Sequence, residues 1–481
     1  MVLAETRTTH SSTGKLNKIG IGVLRYSARA SAMMDAWLRS PGWDVDLYIF
    51  DKQNNPQFKD VAVNHWVAEN FNSPEEAIEL FGPYQNEISF IMPGGEGPIL
   101  ADLRNKVEAE LGIPCICPTL EYAIEGSKFW QRDLIASVCP EANPRYKVFD
   151  PCSNIPLDDV RKQFDDWIGE LREVAIKPVI PGYGKGVGVS GDHFNTSEEA
   201  WNHFLSIYQR DENKPGGAAI VEKKLEGEEF SLEFLSDGRI LVPTYATRDY
   251  KRRYDNDEGE NTGGMGSWKD ETRSLPFMTG WDWREALIYT NQLFRALREK
   301  GYNPGLRGVP MYMAFIATKD GVKILEINSR LGDPEAMTWL RLLKTGFVDI
   351  CLDMVNGTLK TPEFENKAGV VTYLVRPDYG GGKRTPEDTT IDITEALKVA
   401  ESYGDQAAIY LGAVGVRPDG TLEALGSRNI ALCGYADTIE ESRYISRGLI
   451  PLVKGDLESR EDIASPEYIE RCINHMQKLR V

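Results

Sequence analysis

The chain has 481 residues, of which 41% are hydrophobic, and its formal net charge is −18 at pH 7. A chain of this length is expected to form several globular domains, and its acidic charge argues against a nucleic-acid partner. The seven cysteines lack the regular spacing of a disulfide framework, and no apolar segment approaches the ~20 residues that cross a bilayer. We therefore expect a cytoplasmic protein without a membrane or nucleic-acid partner, with a flexible tail at residues 1–17.

Short apolar segments alternate with helical patterns between residues 18 and 120. Strands are predicted near residues 19–24, 45–50, 88–92 and 114–117, with helices between them. This alternation predicts a parallel α/β domain. Ligands of such sheets bind beyond the carboxyl ends of the strands, so Arg25, Arg29 and the loop that contains Glu96 are candidate binding elements.

A glycine-rich turn lies between two predicted strands at residues 176–189, with the sequence Ile-Lys-Pro-Val-Ile-Pro-Gly-Tyr-Gly-Lys-Gly-Val-Gly-Val. Glycines let backbone N–H groups approach phosphate oxygens, and Lys177 at the end of the first strand adds a positive charge. No Gly-Lys-Ser/Thr opens a helix here, which excludes a Walker loop. The segment is a candidate phosphate-binding loop, and an ordinary glycine-rich hairpin is the alternative.

Two further segments carry candidate nucleotide ligands. Residues 221–232, Val-Glu-Lys-Lys-Leu-Glu-Gly-Glu-Glu-Phe-Ser-Leu, could present a strand edge to an adenine ring, with Glu229 as the carboxylate for ribose hydroxyls. Glu-Gly-Ser-Lys at residues 125–128 places Lys128 in the first turns of a predicted helix, where it could reach a nucleotide phosphate. The alternative for both segments is a set of solvated charges.

Residues 248–270 form a long polar stretch, and loops of this length tend to be functional. Asp249 could hold a substrate ammonium group, while Lys251 and Arg252 suit phosphate or carboxylate oxygens. The glycines within residues 261–266 allow close backbone approach. A flexible surface loop is the alternative.

A predicted strand at residues 322–328 places Glu326 and Asn328 on one face, because side chains alternate along a strand. A carboxylate and an amide oxygen are hard ligands, suited to Mg²⁺ that is held together with nucleotide phosphates. Arg330 follows on the same side as a fixed cation. The alternative is a surface strand with ordinary polar residues. After Pro362, short strands and helices predict a small α+β domain.

Taken in order, these segments resemble the ATP-grasp superfamily and, more narrowly, the glycinamide ribonucleotide synthetase family. The matching segments are Glu-Gly-Ser-Lys at 125–128, Lys-x₇-Lys at 177–185, Asp-Tyr-Lys-Arg at 249–252, Asn-Thr-Gly-Gly-Met-Gly at 261–266 and Glu-x-Asn-x-Arg-x-Gly-Asp-Pro-Glu at 326–335. The resemblance implies an α/β protein of the ATP-grasp fold. Its expected parts are an N-terminal parallel α/β domain for the amine substrate (18–120), an ATP-grasp core (121–147 and 235–365), a mobile lid subdomain (148–234) and a C-terminal small α+β domain (366–481).

The resemblance also implies an ATP-dependent carboxylate–amine ligase that forms an amide through an acyl phosphate. The family reaction joins glycine to phosphoribosylamine in purine biosynthesis, with ATP and Mg²⁺ or Mn²⁺ as cofactors. The expected partners are small molecules, an amino acid and an amine, and the protein is expected to be a monomer or a homodimer. The alternatives are a related ligase that joins an amino acid to a different amine, and a nucleotide-binding protein that has lost catalysis.

Roles for individual residues follow from the resemblance. The expected metal ligands are Glu326 and Asn328. The expected ATP-binding residues are Lys128, Lys177, Gly182, Gly184, Lys185, Gly186, Glu222, Lys224, Leu225 and Glu229. The expected catalytic residues are Asp249, Lys251 and Arg330. The expected substrate-binding residues are Asp249, Arg330, Asp333, Pro334, Arg25, Arg29 and Glu96.

The N-terminal domain departs from the family pattern. The family begins with a strand and the loop Gly-x-Gly-Gly-Arg-Glu-His, whereas this chain has Val-Leu-Arg-Tyr-Ser-Ala-Arg at residues 23–29. We expect Arg25 and Arg29 to replace the backbone donors of those glycines with charge. Tyr250 replaces a histidine of the family, and Leu331 replaces a phenylalanine. An intact ATP site and an altered amine site are therefore predicted.

Overall fold

The computed structural model describes residues 16–68, 70–153, 155–180, 186–209, 217–299, 303–382 and 384–481. The expected tail at residues 1–17 lies almost entirely outside these ranges, as do the predicted phosphate-binding residues Gly182, Gly184 and Lys185. Within the described part of the chain, no helix is both long enough and apolar enough to cross a membrane.

The N-terminal region is a parallel sheet with helices packed against it. Its elements are β1 (Asn17–Arg25), α1 (Ala28–Leu38), β2 (Trp43–Asp51), β3 (Ala62–Val67), α2 (Pro74–Phe81), β4 (Ile88–Pro93), α3 (Glu96–Leu100) and α4 (Leu103–Leu111). The strands pair in parallel in the order β3-β2-β1-β4. Ile21, Val23 and Ile49 are fully buried, as expected for strands covered on both faces. The predicted parallel α/β arrangement is confirmed, and its carboxyl edge lies at Arg25, Asp51 and Pro93.

A small antiparallel unit follows, which we call the lid (residues 146–223). A core helix, α5 (Lys128–Val138), precedes β5 (Tyr146–Phe149), α6 (Leu157–Leu171), β6 (Val174–Pro178), β7 (Gly188–Val189), α7 (Ser197–Tyr208) and β8 (Ala219–Lys223). The strands pair in the order β5-β8-β6-β7. Phe149, Phe164 and Phe204 pack together in the core of the lid. A capping box of Thr196 and Glu199 begins α7.

The central part of the chain supplies most of a large antiparallel sheet. Its elements are β9 (Glu228–Asp237), β10 (Leu241–Asp249), β11 (Arg252–Tyr254), β12 (Glu258–Asn261), β13 (Gly266–Lys269), α8 (Gly280–Glu299), β14 (Arg307–Thr318), β15 (Gly321–Asn328) and α9 (Phe347–Asn356). The C-terminal part adds β16 (Ala368–Val375), β17 (Thr390–Ile391), α10 (Thr394–Ser402), β18 (Ala407–Leu411), β19 (Val414–Val416), β20 (Leu422–Ala424), β21 (Arg428–Ala436), α11 (Ile439–Gly448) and α12 (Pro466–Leu479).

One sheet spans both of these parts. Its eight strands lie in the order β15-β14-β9-β10-β13-β16-β21-β18, and β13 pairs with β16 along residues 266–269. The sheet therefore runs across the boundary predicted at residues 365–366. A separate small sheet, β17-β20-β19, closes the C-terminal region.

One local prediction was wrong. The stretch 248–270, predicted to be a structureless loop, contains the hairpin β11–β12 and the strand β13. Its charges are ordered by distant partners, such as Glu458 for Arg253 and Arg460 for Asp257. The segment 333–356 contains two short 3-10 helices, Glu335–Thr338 and Leu340–Leu342, and becomes α-helical at Phe347, after backbone pairing with residues 363–364.

Candidate active site

Residues from three distant parts of the chain meet at the end of β15. Glu326 lies near the cations Lys128, Lys251 and Arg330, and Lys177 of the lid is also close. Burial alone would raise the pKa of Glu326, but these positive charges outweigh it and lower the pKa. The Glu326 carboxylate is therefore ionised and has four cations around it, which suits both a metal ion and phosphate groups.

Lys128 and Lys177 approach the same point from the core and from the lid. Ser127 caps α5 by accepting a hydrogen bond from Trp130 N at 3.2 Å, so Lys128 is the first helical residue. Its backbone N–H donates to Val179 O, just beyond β6, at 2.9 Å. Burial lowers the pKa of the Lys128 ammonium, and the charge of Lys177 lowers it further. Two crowded ammonium groups favour a polyanionic ligand between them.

Asn328 is oriented by Glu125, a residue that was absent from the predicted site. The hydrogen-bonding surroundings assign the Asn328 amide nitrogen as donor to Glu125 Oε1 and to Ile327 O, each at 3.2 Å. In that orientation the amide oxygen occupies the position 3.3 Å from Glu326 Oε1. Two oxygen acceptors thus face each other, which is the arrangement that a hard cation requires. Glu125 begins the Glu-Gly-Ser-Lys segment, so the motif contained the signal.

Arg330 lies between two buried carboxylates. Its guanidinium is 3.2 Å from Glu125 Oε1 and 3.3 Å from Glu96 Oε2. Burial raises the pKa of Glu125 to about 7, against the opposing charge of Arg330. Glu125 also accepts a hydrogen bond from Ser329 N at 3.0 Å, which holds the backbone in place just after β15. The pair Glu96 and Arg330 joins the N-terminal region to the segment that follows β15.

Glu222 is held by two cations. Arg132 on α5 donates to both of its oxygens, at 2.6 and 3.2 Å, and Lys177 donates at 2.7 Å. Arg132 also donates to Ile324 O and Leu325 O, so this buried cluster joins the lid to β15. Because its oxygens are engaged by the protein, Glu222 is a poor candidate for direct nucleoside contact. Arg132 was not predicted, since nothing in an amphipathic helix marks it.

Glu229 pairs with Lys251, and Asp249 lies beside them. Lys251 Nζ is 2.5 Å from Glu229 Oε2. Asp249 is partly buried, and its Oδ1 is a buried atom without a hydrogen-bond partner among the described residues. Burial and the charge of Glu335 raise the pKa of Asp249. A Cβ on Gly264, which has a φ of +100°, would stand 2.6 Å from that oxygen, so only glycine allows the backbone this close.

Asp333 and Pro334 lie next to Asp249 and Gly264. Asp333 Oδ1 accepts a hydrogen bond from Tyr373 at 2.7 Å, and its Oδ2 is 3.1 Å from Arg428 Nη2. Burial would raise the pKa of Asp333, but Arg428 and Arg29 lower it. Arg428 donates to the carbonyl oxygens of Gly263 and Gly264 as well, and it was not among the predicted site residues.

The remaining predicted ATP ligands lie around the segment between β8 and β9. Lys224 donates its ammonium to Ser190 O at 2.6 Å and its backbone N–H to Glu173 O at 3.0 Å. Leu225 is partly exposed. Of the predicted glycine-loop ligands, the structure describes Gly186. Its carbonyl oxygen lies 3.1 Å from His203 Nε2.

Arg25 and Arg29 are engaged by hydrogen bonds within the protein. Arg25 donates to Ser31 Oγ at 2.7 Å and to Leu411 O at 3.0 Å, and burial lowers its pKa to about 10. Arg29 donates to Leu331 O and Gly94 O. Both side chains are almost fully buried. They join the N-terminal sheet to the rest of the protein, which argues against the predicted direct contact with a substrate.

A cavity of about 190 Å³ lies beside Glu96 at the carboxyl edge of the parallel sheet. Tyr26, Lys52 and Asn72 line it, together with the backbone of Gly95. Lys52 Nζ lies 4.8 Å from the centre of the Tyr26 ring. Lys52 follows β2 directly, so the rule that placed Arg25 at this edge could also have identified it.

The residues fit a divalent cation that is completed by other ligands. No group of three or more His, Cys, Asp or Glu side chains able to hold a metal occurs among the described residues. Glu326 and Asn328 instead offer two facing oxygens in a cleft with cations for phosphate. Such a pair suits a metal ion that shares its remaining positions with nucleotide phosphates and water.

Comparison with known proteins decides the family. Residues 126–336 match the model of the phosphoribosylglycinamide synthetase ATP-grasp (A) domain. The chain is 34% identical to a phosphoribosylamine–glycine ligase from Methanocella arvoryzae over 461 residues, which is 95% of this chain and 99% of the relative. It is also 34% identical to one from Methanocaldococcus jannaschii over 94% of this chain and 98% of the relative.

The chain belongs to the phosphoribosylamine–glycine ligase family.

A crystal structure of phosphoribosylamine–glycine ligase from Thermotoga maritima shares the fold, with a TM-score of 0.72 and 23% identity over 92% of this chain and 100% of that one. The predicted ATP-grasp fold is therefore confirmed, and so is the prediction of an ATP-dependent carbon–nitrogen ligase at the level of the family. The match to the family domain includes Lys128, Lys177 and the Glu326–Asn328 pair. The altered loop at residues 23–29 lies outside it.

Proposed function

We propose that the protein joins glycine to phosphoribosylamine at the expense of ATP, giving glycinamide ribonucleotide, ADP and phosphate in the purine biosynthesis of the cytoplasm. The observation that supports this most is the convergence of Glu326 and Asn328 with Lys128 and Lys177 at one cleft, in a chain whose relatives have the name of that ligase. We propose Mg²⁺ or Mn²⁺ as the metal, and a monomer or a homodimer as the assembly.

The cleft would bind the nucleotide through charge. A divalent cation held by Glu326 and Asn328 would neutralise the phosphates during transfer of the terminal phosphoryl group. Lys128 and Lys177 would contact phosphate oxygens. Glu229, already paired with Lys251 at 2.5 Å, accepts hydrogen bonds from the ribose hydroxyls. Closure of the lid would exclude water from the reacting phosphate.

Glycine would lie next to Asp249. The buried, unpartnered Oδ1 of Asp249 accepts a hydrogen bond from the glycine ammonium, and the close backbone of Gly264 leaves little room for a larger side chain. The glycine carboxylate turns toward Arg330 and takes the phosphoryl group, so that an acyl phosphate forms and ADP leaves. Arg330 and Lys251 stabilise the negative charge that develops on the transferred group.

The amine would enter from the N-terminal sheet. The cavity beside Glu96 opens next to the Glu96–Arg330 pair, which borders the acyl phosphate site. Lys52 and Asn72 supply a charge and an amide for the phosphate group of phosphoribosylamine. The amine nitrogen then attacks the acyl carbon, phosphate leaves with the electron pair of the broken carbon–oxygen bond, and the nitrogen loses a proton.

A second candidate function is a ligase for a different amine. The loss of the family loop at residues 23–29 favours it, since Arg25 and Arg29 are taken up by contacts within the protein. The cavity near Lys52 distinguishes the two candidates, because an amine without phosphate would not need a cation there.

The test is ADP release by the purified protein with MgATP, glycine and freshly prepared phosphoribosylamine. We expect release to depend on both substrates, and Glu326→Ala to abolish it at saturating ATP and Mg²⁺. Glu299→Ala, at an exposed ion pair on α8, is the matched control and should leave the rate unchanged. Retained turnover in Glu326→Ala would refute the metal assignment. Release with other amines but not with phosphoribosylamine would favour the second candidate.

A further inference from the structure

The strand end and loop at residues 248–252 have two sides with different partners. Asp249 and Lys251 point into the cleft, as alternate residues of an extended segment do. The side chains of Arg248 and Tyr250, and the backbone of Arg252, contact residues 460–475 of the C-terminal segment. Residues 248–252, which include the predicted catalytic residues Asp249 and Lys251, therefore pack against residues 460–475.

Arg248 connects the C-terminal segment to the nucleotide site. It is 9% exposed and donates to Glu229 O at 2.7 Å. The same nitrogen is 2.9 Å from Glu228 Oε2, and the other terminal nitrogen donates to Tyr468 Oη at 3.0 Å. His475 lies 2.6 Å from the second oxygen of Glu228. Arg248 and α12 thus hold the start of β9 from both directions, and Glu229 lies at that start.

Tyr250 forms the second connection. Its hydroxyl accepts a hydrogen bond from Ala464 N at 2.7 Å, and its ring lies 4.8 Å from the ring of Tyr468. The guanidinium of Arg460 lies over the Tyr250 ring, 4.8 Å from its centre. Tyr250 is fully buried by these contacts. Tyr250, which replaces the family histidine, therefore packs against the C-terminal segment and is hydrogen-bonded to it.

Tyr468 joins the two connections. Its hydroxyl accepts from Arg248 and donates to Asp257 Oδ2 at 2.8 Å, and Asp257 in turn lies 3.0 Å from Arg460 Nη2. One hydroxyl therefore links Arg248, the β11–β12 hairpin and α12. Removal of this hydroxyl alone tests the connection without a change in the shape of the core.

We propose that residues 460–475, which we call the C-terminal brace, position Glu229 for nucleotide binding, with Arg248 and Tyr468 as positioning residues. The inference rests on the nucleotide site of the proposed function. Neither positioning residue faces the cleft; they act by fixing the backbone of Glu229, whose carboxylate is paired with Lys251 at 2.5 Å. A carboxylate held in place before the ligand arrives loses less conformational freedom when it binds ribose hydroxyls.

The experiment measures binding of MgADP to the full-length protein by calorimetry. Tyr468→Phe should weaken binding about fivefold to tenfold, which is the effect of losing the net contribution of one ordinary hydrogen bond. Arg248→Gln should weaken it more, and Arg248→Lys less than Arg248→Gln. Tyr444→Phe is the matched control, because Tyr444 is 73% exposed and loses the same hydroxyl without consequence.

Kinetics separate positioning from a general loss of structure. The KM for ATP should rise in Tyr468→Phe. The value of kcat should stay within about twofold of the wild-type value, because saturating ATP fills the site even when binding is weaker. A lower thermal stability with unchanged ADP affinity would overturn the brace. Wild-type protein that binds MgADP with the same affinity as Tyr468→Phe and Arg248→Gln would overturn it too. Wild-type protein that binds no MgADP would overturn the proposed function and the brace together.

Discussion

Glu222→Gln removes the charge at the centre of the buried cluster that joins the lid to the core. Glu222 and Arg132 are each only 2% exposed. In the variant, the Arg132 guanidinium loses a carboxylate bound at 2.6 and 3.2 Å, and Lys177 loses a partner at 2.7 Å. Two cations then remain together in a space of low polarity, which destabilises the folded protein.

The size of the effect follows from the pKa of Glu222. Burial would raise it, but Arg132 and Lys177 lower it from 4.5 to about 2. Each pKa unit corresponds to about 1.4 kcal/mol, so the interactions of the ionised form stabilise the folded state by about 3 kcal/mol. Loss of one partner from a buried ion pair typically costs a similar amount, about 3–5 kcal/mol.

The same pKa fixes the pH dependence. Because the folded pKa lies below the unfolded one, the stabilisation is fully present above pH ~4.5 and decreases as the pH falls toward about 2. The difference between wild type and Glu222→Gln should therefore be about 3 kcal/mol at pH 7. At a pH of about 3.5 it should be smaller by about 1 kcal/mol, since the unfolded carboxyl is then mostly protonated.

The assay is equilibrium unfolding in urea, followed by circular dichroism and tryptophan fluorescence at both pH values. Glu170→Gln is the matched control, because Glu170 pairs with Arg145 on the exposed surface of the lid and should contribute less than about 1 kcal/mol. Equal stability of wild type and Glu222→Gln at pH 7 would refute the reasoning. A difference that does not change with pH would show that the charge of Glu222 is not its source.

Two further predictions concern substrate and metal affinity. Glu125→Gln should raise the Mg²⁺ concentration for half-maximal activity about tenfold, because Glu125 accepts the hydrogen bond that orients the Asn328 amide; an unchanged Mg²⁺ titration would contradict this role. Lys52→Glu should raise the KM for phosphoribosylamine at least about tenfold through charge repulsion, with the KM for ATP unchanged. A raised KM for ATP with an unchanged KM for phosphoribosylamine would refute the assignment of the phosphate to the cavity beside Glu96.

The sequence by itself determined the residues that act through local geometry. Strand alternation put Glu326 and Asn328 on one face, and β15 has them there. The segment that begins with Glu125 caps α5 at Ser127 and places Lys128 at its first turn. The order of the motifs determined the family, since it depends only on the chain and not on its path in space.

Only the tertiary structure decided which charges are free to meet a ligand. Arg25 lies at the predicted sheet edge, yet it donates to Leu411, which is 386 residues away along the chain. Glu222 is engaged by Arg132 from a helix 90 residues earlier, and Arg248 by Tyr468 from a helix 220 residues later. Local periodicity specifies the face on which a side chain lies. Burial and the choice of partner depend on how distant segments pack, and no local pattern contains that information.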